Sequence, residues 1–318
     1  MASKKKSNKV SKIYPLERSP LFKLSNKRRL ESIIGLERYS LNKIREHIDY
    51  YTFEIDKRDG EKRPITAPNF HLKRVQKSIH DLLSRIDKPD WLISGSKGKS
   101  YIDNAKLHQR NQSKYALTLD IKKFYPRCTR GYVFSFLSNT LEMSDDVAGV
   151  MADVLTLKSE IPTGSPASQL LAFFAYKEMF IKLNELALRY DCVFTVYVDD
   201  LSFSSQSPFD NYALMNDVES ILEKYGHKLK RNKKAYYSKS DGKMFTGVVL
   251  DAQSQLKVPN NLQAKIKKDA DLLMKPETLT SVERQKLKNR LQGRIMSARN
   301  IEPNKFPRLL EAVKVLQV

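Results

Sequence analysis

The sequence has few cysteines and no long apolar run. Two cysteines, Cys128 and Cys192, stand among 318 residues, which excludes a disulfide-rich secreted scaffold and a cysteine-rich zinc site. The densest apolar stretch, residues 170–176, is too short to cross a bilayer. The N-terminal residues Met-Ala-Ser-Lys-Lys-Lys lack the apolar core of a signal peptide. These absences predict a protein of a reducing compartment, the cytoplasm, with no membrane partner.

Acidic residues are scarce relative to basic ones. The chain has 57 Lys and Arg against 36 Asp and Glu, a net charge of +21 at pH 7. This excess predicts a polyanionic partner, with solubility or an anionic membrane surface as the alternatives. Residues 226–239 contain six Lys and Arg, no acid, and the pair Tyr236-Tyr237. Such a mixture suits phosphate contact together with base stacking.

Turn and periodicity signals predict an α+β body. Asp59-Gly60 lies between the alternating residues 51–55 and 62–66, which is a strong hairpin signal. Apolar residues at helical spacing over residues 72–86 predict an amphipathic helix, and residues 115–121 have the pattern of a buried strand.

The second half of the chain carries further element signals. Ser165-Pro166 supplies an N-cap and a first-turn proline for a helix to about residue 190. Residues 193–198 and 201–204 are the expected strands of a tight hairpin, and Thr280-Ser-Val-Glu283 fits a capping box in a helical C-terminal region. The expected domains are a basic arm over residues 1–25 that is mobile or ordered by a partner, a main body over 26–255 and a basic helical domain over 256–318.

Three aspartates stand where the predicted strands end. Asp199 and Asp200 occupy the predicted two-residue turn, where adjacent like charges are unfavourable unless a cation neutralises them. Asp120 lies near the end of an apolar strand, where a charge is costly unless it is paired or liganded. If the two segments are neighbouring strands, the three carboxylates converge and can hold two Mg²⁺ ions for phosphoryl transfer on a nucleic acid. An ordinary polar turn is the alternative for Asp199 and Asp200 alone.

Four motifs occur in an order that resembles the reverse transcriptase family. Tyr197-Val-Asp-Asp200 resembles the polymerase box, and Leu119-Asp-Ile-Lys-Lys-Phe-Tyr125 resembles the first metal motif. Ile161-Pro-Thr-Gly-Ser-Pro166 is similar to the loop that contacts template and nucleotide. Lys62-Arg-Pro-Ile65 with Leu72-Lys-Arg-Val-Gln76 resembles the fingers.

The resemblance covers about residues 50–250. It implies an α+β right-hand polymerase, in which residues 26–255 form fingers and palm and residues 256–318 form a small helical thumb that binds RNA or duplex.

Two further boxes resemble those of bacterial retron reverse transcriptases. Asn104-Ala-Lys-Leu-His108 matches the Asn-Ala-x-x-His box, and Phe245-Thr-Gly247 stands in the place of Val-Thr-Gly with Phe for Val. The resemblance implies an enzyme that recognises a cognate structured non-coding RNA and primes from its 2′-hydroxyl. Such an enzyme copies part of that RNA into branched multicopy single-stranded DNA (msDNA), in anti-phage defence with an effector protein. A helix N-cap Asn and a satisfied surface His are the alternative for the first box.

The resemblance also implies residue roles at the reacting centre. Lys234 is implied to meet the leaving pyrophosphate, with the adjacent Lys233 as a competitor for that role. Tyr125 resembles a steric gate that excludes a ribose 2′-hydroxyl, with a core aromatic as the alternative. The residues implied to hold two Mg²⁺ ions are Asp120, Asp199 and Asp200, with the backbone carbonyl of Ile121.

Nucleotide and RNA contacts are implied elsewhere in the chain. Lys57 and Arg63 would hold the triphosphate of the incoming dNTP, with a solvated hairpin face as the alternative. Thr163 and Gly164 would contact the nucleotide, and Thr163 stands where the family usually has Gln. The residues implied in RNA binding are Asn104, His108, Phe245, Thr246 and Gly247 of the two boxes and Arg284, Lys288, Arg290 and Arg294 of the thumb.

Two other functions stay open from the sequence. The first is a reverse transcriptase of another lineage, intron-derived or of the abortive-infection type, from which the two retron boxes discriminate. The second is a catalytically silent RNA-binding module with a polymerase-like fold. A module without catalysis has no reason to retain three aspartates whose burial is unfavourable, which argues against it.

Overall fold

The computed structural model describes residues 13–36, 41–46, 48–56, 62–275 and 279–316. The chain divides into two compact units, each built from several segments. Unit 1 comprises Met1–Gly98, Ile121–Leu186 and Met215–Lys230, and unit 2 comprises Lys99–Asp120, Ala187–Leu214 and Arg231–Val318. The expected domain limits at residues 25 and 255 stay a prediction.

Helices and strands alternate along the chain, in agreement with the predicted α+β class. The helices are α1 Lys27–Ile33, α2 Leu41–Glu46, α3 Phe70–Leu83, α4 Tyr101–Arg110, α5 Phe124–Arg127, α6 Arg130–Ser135, α7 Asp145–Leu155, α8 Ser168–Ala175, α9 Lys177–Arg189, α10 Asn211–Lys224, α11 Asn260–Leu273, α12 Ser281–Ile301 and α13 Pro307–Val315. The strands are β1 Tyr50–Asp56, β2 Lys62–Pro68, β3 Tyr115–Asp120, β4 Val193–Tyr197, β5 Asp200–Ser205, β6 Ala235–Tyr237, β7 Lys243–Phe245, β8 Val248–Leu250 and β9 Leu256–Lys257. Within the described ranges, no helix is long and apolar enough to cross a membrane.

Unit 1 contains the predicted hairpin and the predicted amphipathic helix. Strands β1 and β2 pair antiparallel from Tyr50 opposite Pro68 to Asp56 opposite Lys62, which confirms the hairpin. Helix α3 begins where the Asn69 side chain accepts a hydrogen bond from the Leu72 N–H at 2.9 Å. One face of α3 is buried, as its apolar spacing predicts.

The N-terminal segment is only partly the expected arm. Residues 1–12 lie outside the described residues, but the Tyr14 hydroxyl donates to the Leu82 carbonyl at 3.1 Å. Leu21 and Leu24 are fully buried. The prediction of a mobile arm is therefore wrong for residues 13–25, because their few apolar side chains are core residues.

The helix predicted from Ser165 to about residue 190 is two helices. Helix α8 begins at Ser168, and Tyr176, with φ −114° and ψ 22°, separates α8 from α9. The buried Tyr176 hydroxyl donates to the Arg127 carbonyl and accepts from the Thr129 N–H, both at 3.0 Å. These tertiary contacts override the continuous helical periodicity.

Unit 2 contains a four-stranded sheet in the order β4-β5-β3-β6 and a three-stranded sheet in the order β7-β8-β9. The helices after residue 259 share one apolar core with α4 and β8, through residues such as Ala105, Val248 and Leu291. The predicted capping box is confirmed, because Thr280 and Glu283 exchange hydrogen bonds at the start of α12.

Candidate active site

The hairpin that carries two of the aspartates turns one residue earlier than predicted. Tyr197 lies opposite Asp200, so the turn is Val198-Asp199 and Asp200 is the first residue of β5. Val198 has φ +61°, as a tight hairpin turn of this kind requires at its first position. The prediction of an Asp199-Asp200 turn is wrong because the sequence places a β-branched residue, not glycine, at the position of positive φ.

Strand pairing brings Asp120 and Asp200 together. Asp120 is the last residue of β3 and lies directly opposite Asp200 of β5. Directly opposite residues of antiparallel strands project to the same face, with Cβ atoms about 5 Å apart. Asp199 adjoins them in the turn, so the expected neighbouring strands and adjacent carboxylates are observed.

Lys233 is the cation at these carboxylates. Its Nζ donates to the Asp120 Oδ2 at 2.9 Å, and the Asp120 side chain is only 9% exposed. The hydrogen bond with Asp120 raises the pKa of Lys233, and the negative charges of Asp120, Asp200 and Asp199 raise it further. The three acids therefore act together on one positive charge.

Lys234 faces the other way. Its Nζ lies 5.8 Å from the centroid of the Tyr212 ring. Lys233 ends a short 3-10 helix over Arg231–Lys233, Lys234 follows it just before β6, and the two side chains have different partners. The structure brings Lys233, and not the favoured Lys234, to the carboxylates.

The donor set suits a hard divalent cation. Three carboxylates offer only oxygen ligands, the type that Mg²⁺ prefers. In the part of the chain that is described, no three acidic, histidine or cysteine side chains are already arranged to hold a metal ion. The three carboxylates fit Mg²⁺ by their ligand type. In this structure the Asp120 carboxylate is instead paired with the Lys233 ammonium.

The remaining residues of the first metal motif lie in unit 1. Ile121 is buried and forms an isolated bridge with Leu229. Tyr125 is half-buried at the start of α5, with its ring 5.6 Å from the Phe124 ring. The carbonyl and gate roles implied for Ile121 and Tyr125 stay predictions.

The loop of residues 161–166 is fixed to β2 within unit 1. The Thr163 hydroxyl accepts from the Thr66 N–H at 3.1 Å, and the Gly164 N–H donates to the Thr66 carbonyl at 2.9 Å. A Cβ on Gly164 would lie 2.7 Å from that carbonyl oxygen and 2.9 Å from the Ala67 Cα. Only glycine fits at position 164, where the loop backbone lies so close to β2. The Thr163 hydroxyl holds the loop to β2 through its hydrogen bond with Thr66.

The two residues expected to hold the triphosphate are not both described. Lys57 lies outside the described residues. Arg63 is described by its backbone alone, opposite Ile55 in the hairpin, and its side chain lies outside the described part. Triphosphate binding by Lys57 and Arg63 stays a prediction.

The two boxes expected to read RNA meet in the core of unit 2. The Asn104 Nδ2 donates to the Thr246 Oγ1 at 3.3 Å, and the Thr246 hydroxyl donates to the Tyr101 carbonyl at 3.0 Å. The His108 and Phe245 rings stack with centroids 4.1 Å apart and planes 9° apart. Residues distant in sequence therefore form one packed cluster.

His108 links this cluster to the two strands of the carboxylate hairpin. Its Nδ1 lies 2.6 Å from the Ser204 Oγ of β5, and its Nε2 lies 2.8 Å from the Thr195 Oγ1 of β4. Burial lowers the pKa of His108 to about 3, so the ring is neutral and one nitrogen donates while the other accepts. The imidazole thus links β4 to β5, the two strands of the hairpin that carries Asp199 and Asp200.

The prediction of direct RNA contact is wrong for Asn104, His108 and Phe245. All three are fully buried, and a side chain without exposed surface has no access to a ligand. The helical spacing already carried part of this signal, because Asn104 and His108 are four residues apart on one face of α4 and the apolar Ala105 lies three residues before His108. Thr246 is half-buried and stays a predicted RNA contact, as does Gly247, whose φ of +92° favours glycine.

Three of the four predicted thumb contacts are engaged within the protein. Arg290 pairs with the buried Asp269 of α11 at 2.9 Å, and Arg294 pairs with the same carboxylate. Arg290 and Arg294 therefore join α12 to α11 through ion pairs. Lys288 donates to the Leu316 carbonyl at 2.5 Å, and the Arg284 Nε is buried without a partner in the described part of the chain. Phosphate contact by these four residues stays a prediction.

Comparison with known proteins follows the same motifs. A family model described as "Reverse transcriptase (RNA-dependent DNA polymerase)" matches residues 55–250. The chain is 30% identical over 184 residues to the Retron Se72 reverse transcriptase of Salmonella heidelberg, covering 55% of this chain and 47% of that one. It is 23% identical over 272 residues to the Retron Ec73 reverse transcriptase of Escherichia coli, covering 81% and 84%. The match to the first relative thus spans about half of that relative's length.

Solved structures share the fold. The apo telomerase from Candida tropicalis superposes with a TM-score of 0.51 at 14% identity, over 82% of this chain and 59% of that one. A form truncated from its C-terminal domain gives 0.50 at 16% identity, over 67% and 55%. The polymerase fold predicted from the motifs is confirmed. Because the family model covers more than half of the sequence, the chain belongs to the reverse transcriptase family.

Proposed function

We propose that this chain is an RNA-directed DNA polymerase of the retron type. The observation that carries the proposal is the register of β3 and β5, which sets Asp120 opposite Asp200 beside Asp199 in the turn. The likeness to retron reverse transcriptases over most of the chain supports the lineage. The substrate would be a cognate structured non-coding RNA, primed from its own 2′-hydroxyl and copied in part into msDNA.

The reaction joins a primer hydroxyl to the α-phosphorus of a dNTP and releases pyrophosphate. Asp120, Asp199 and Asp200, with the Ile121 carbonyl, would hold two Mg²⁺ ions, whose positive charge would favour an ionised attacking oxygen and a negatively charged leaving one. The rigid pairing of β3 with β5 keeps the acids in place, so the carboxylates need little reorganisation during the reaction.

Lys233 is the better candidate for the pyrophosphate role first given to Lys234. Its ammonium already lies within the field of the three carboxylates. The Lys233 ammonium would meet the developing negative charge of the leaving group. The neighbouring carboxylates favour the charged form of Lys233, as a positive clamp on the leaving group would require.

The other assignments complete the proposed site. Tyr125 would exclude the ribose 2′-hydroxyl, Lys57 and Arg63 would hold the triphosphate, and Thr163 with Gly164 would shape the nucleotide-contacting loop. A retron effector protein and a role in anti-phage defence are proposed from the likeness to retron enzymes.

Primer extension with purified protein and Mg²⁺ tests the catalytic assignment. Asp199→Asn or Asp200→Asn keeps the side-chain shape and removes a charge, so synthesis should fall at least 100-fold while RNA binding persists. Asp271→Asn, on the exposed side of α11, is the matched control and should synthesise normally. Near-normal synthesis by both site variants contradicts the assignment and leaves an RNA-binding module.

The lineage is tested separately by the product. Expression with the structured RNA encoded beside the gene should yield DNA that stays joined to RNA through a 2′–5′ linkage, which ribonuclease digestion shortens. Linear DNA alone, with synthesis intact, places the enzyme in another reverse transcriptase lineage.

A further inference from the structure

An exposed aromatic and basic cluster lies on unit 2, away from the carboxylates. We define the back-face patch as Phe209, Tyr212, Lys234 and Tyr236. Tyr212 is 67% exposed and Tyr236 is 38% exposed. The Tyr236 ring meets the Phe209 ring edge-to-face at 5.6 Å and 86°, and the Lys234 ammonium lies 5.8 Å from the Tyr212 centroid.

Strand register places this patch on the opposite face of the sheet from the acids. Tyr236 of β6 lies opposite Leu117 of β3, so these two side chains share a face. Leu117 and Asp120 are three positions apart in β3, and an odd offset puts side chains on opposite faces. The division agrees with the contacts, because Lys233 reaches Asp120 while Lys234 reaches Tyr212.

The chemistry of the patch suits unpaired nucleotides. Exposed aromatic rings stack with bases of any sequence, and a neighbouring lysine meets the phosphate. Lys234 and Tyr236 belong to the run of residues 226–239, which holds six basic residues and no acid. The nearby Asp210 carboxylate caps α10, accepting from the Tyr212 and Ala213 N–H groups at 3.0 and 2.9 Å, so its charge is held at the helix end.

We propose that the back-face patch binds a single-stranded RNA segment, separate from the strand that is being copied. Charge complementarity favours a nucleic acid over a protein partner, because the chain carries a net charge of +21. The two phenol hydroxyls favour RNA over DNA, since each can donate to or accept from a ribose 2′-hydroxyl. The patch would hold an unpaired part of the RNA against the protein while another part is copied.

The test measures binding of a fluorescent, unstructured RNA oligonucleotide to the full chain by anisotropy. Tyr212→Leu and Tyr236→Leu should each weaken binding about fivefold or more, because leucine keeps an apolar side chain but loses the stacking plane. The double Tyr→Phe variant should keep most of the affinity and lose the preference for RNA over DNA of the same sequence. Lys234→Gln should lower the slope of log K against log salt by about 0.7 for a single strand.

Controls separate this proposal from the polymerase assignment. Lys77→Gln removes another exposed charge, on α3, where Lys77 pairs with Asp81, and should leave the affinity within twofold. Extension of a pre-annealed primer–template should be unchanged in the two Tyr→Leu variants. Unchanged RNA affinity in both Tyr→Leu variants would overturn the proposal and assign the patch to a protein partner. Equal binding of RNA and DNA by the unaltered protein would overturn the choice of RNA.

Discussion

Replacing His108 by phenylalanine isolates the hydrogen bonds that join the buried cluster to the carboxylate hairpin. The variant keeps an aromatic ring against Phe245 and loses the two contacts with Ser204 and Thr195. Each lost bond removes about 1 kcal/mol. Ser204 keeps a second partner in Ser113 at 2.7 Å, whereas the buried Thr195 hydroxyl loses its imidazole partner, at a further cost of about 1 kcal/mol. His108→Phe should therefore lower the free energy of unfolding by about 2–3 kcal/mol.

A double-mutant cycle with Thr195→Val shows whether this cost runs through the hydrogen bond. Urea unfolding gives the free energy for each variant, and the double variant should be less destabilised than the sum of the two single changes. Additive effects would refute the hydrogen-bond account. Extension on a generic primer–template should slow, because the imidazole positions β4 and β5, while RNA affinity should stay the same. Normal stability with lost affinity for the cognate RNA would instead make His108 a direct RNA contact.

Three further changes test other parts of the structure. Gly164→Ala should lower the free energy of unfolding by about 1–3 kcal/mol, because the added Cβ would lie 2.7 Å from the Thr66 carbonyl oxygen. Gly149 lies in a helix with open space around it, so Gly149→Ala should raise the free energy of unfolding slightly in the same assay. Lys233→Gln should slow single-turnover extension about 100-fold, and a larger loss in Lys234→Gln would reverse the assignment. Burial, with a smaller effect of the Arg127 charge, lowers the pKa of His227 to about 4. As the pH falls below about 6.5, His227 therefore binds a proton in the unfolded protein but not in the folded one. The free energy of unfolding then drops by up to about 1.4 kcal/mol per pH unit, down to about pH 4. His227→Phe should flatten that part of the stability–pH curve, and an unchanged curve would contradict the buried neutral ring.

Local patterns predicted much of the fold, because the relevant forces act between near neighbours. The Asp59-Gly60 signal located the β1–β2 hairpin, and Thr280 with Glu283 located the start of α12. The pattern of a buried strand predicted β3, and the tight hairpin predicted β5. The charge of Asp120 at the end of an apolar strand indicated that it has a partner. That partner within the chain is Lys233.

The predictions that proved wrong concern features that are set by contacts between residues far apart in the sequence. The turn at Val198 depends on a register that leaves a β-branched residue at positive φ, and no local preference predicts that. The choice between Lys233 and Lys234 depends on which face of the sheet each meets. Polar Asn104 and His108 were expected on the surface, because their partners lie 142 and 87–96 residues away in the sequence.

The late position of Phe245 and Thr246 in the chain has a consequence for biosynthesis. The strands that carry Asp120, Asp199 and Asp200 are complete by Ser205, yet the side chains that pack against His108 and Asn104 follow about forty residues later. At a ribosomal rate of 5–20 residues per second, this interval is on the order of 2–8 s. During that time His108 and Asn104 lack their partners Phe245 and Thr246, and contacts of such long range form slowly. The nascent chain therefore contains the three aspartates before it contains the residues that pack against their strands, so folding of this region is complete only after Phe245 and Thr246 have been made.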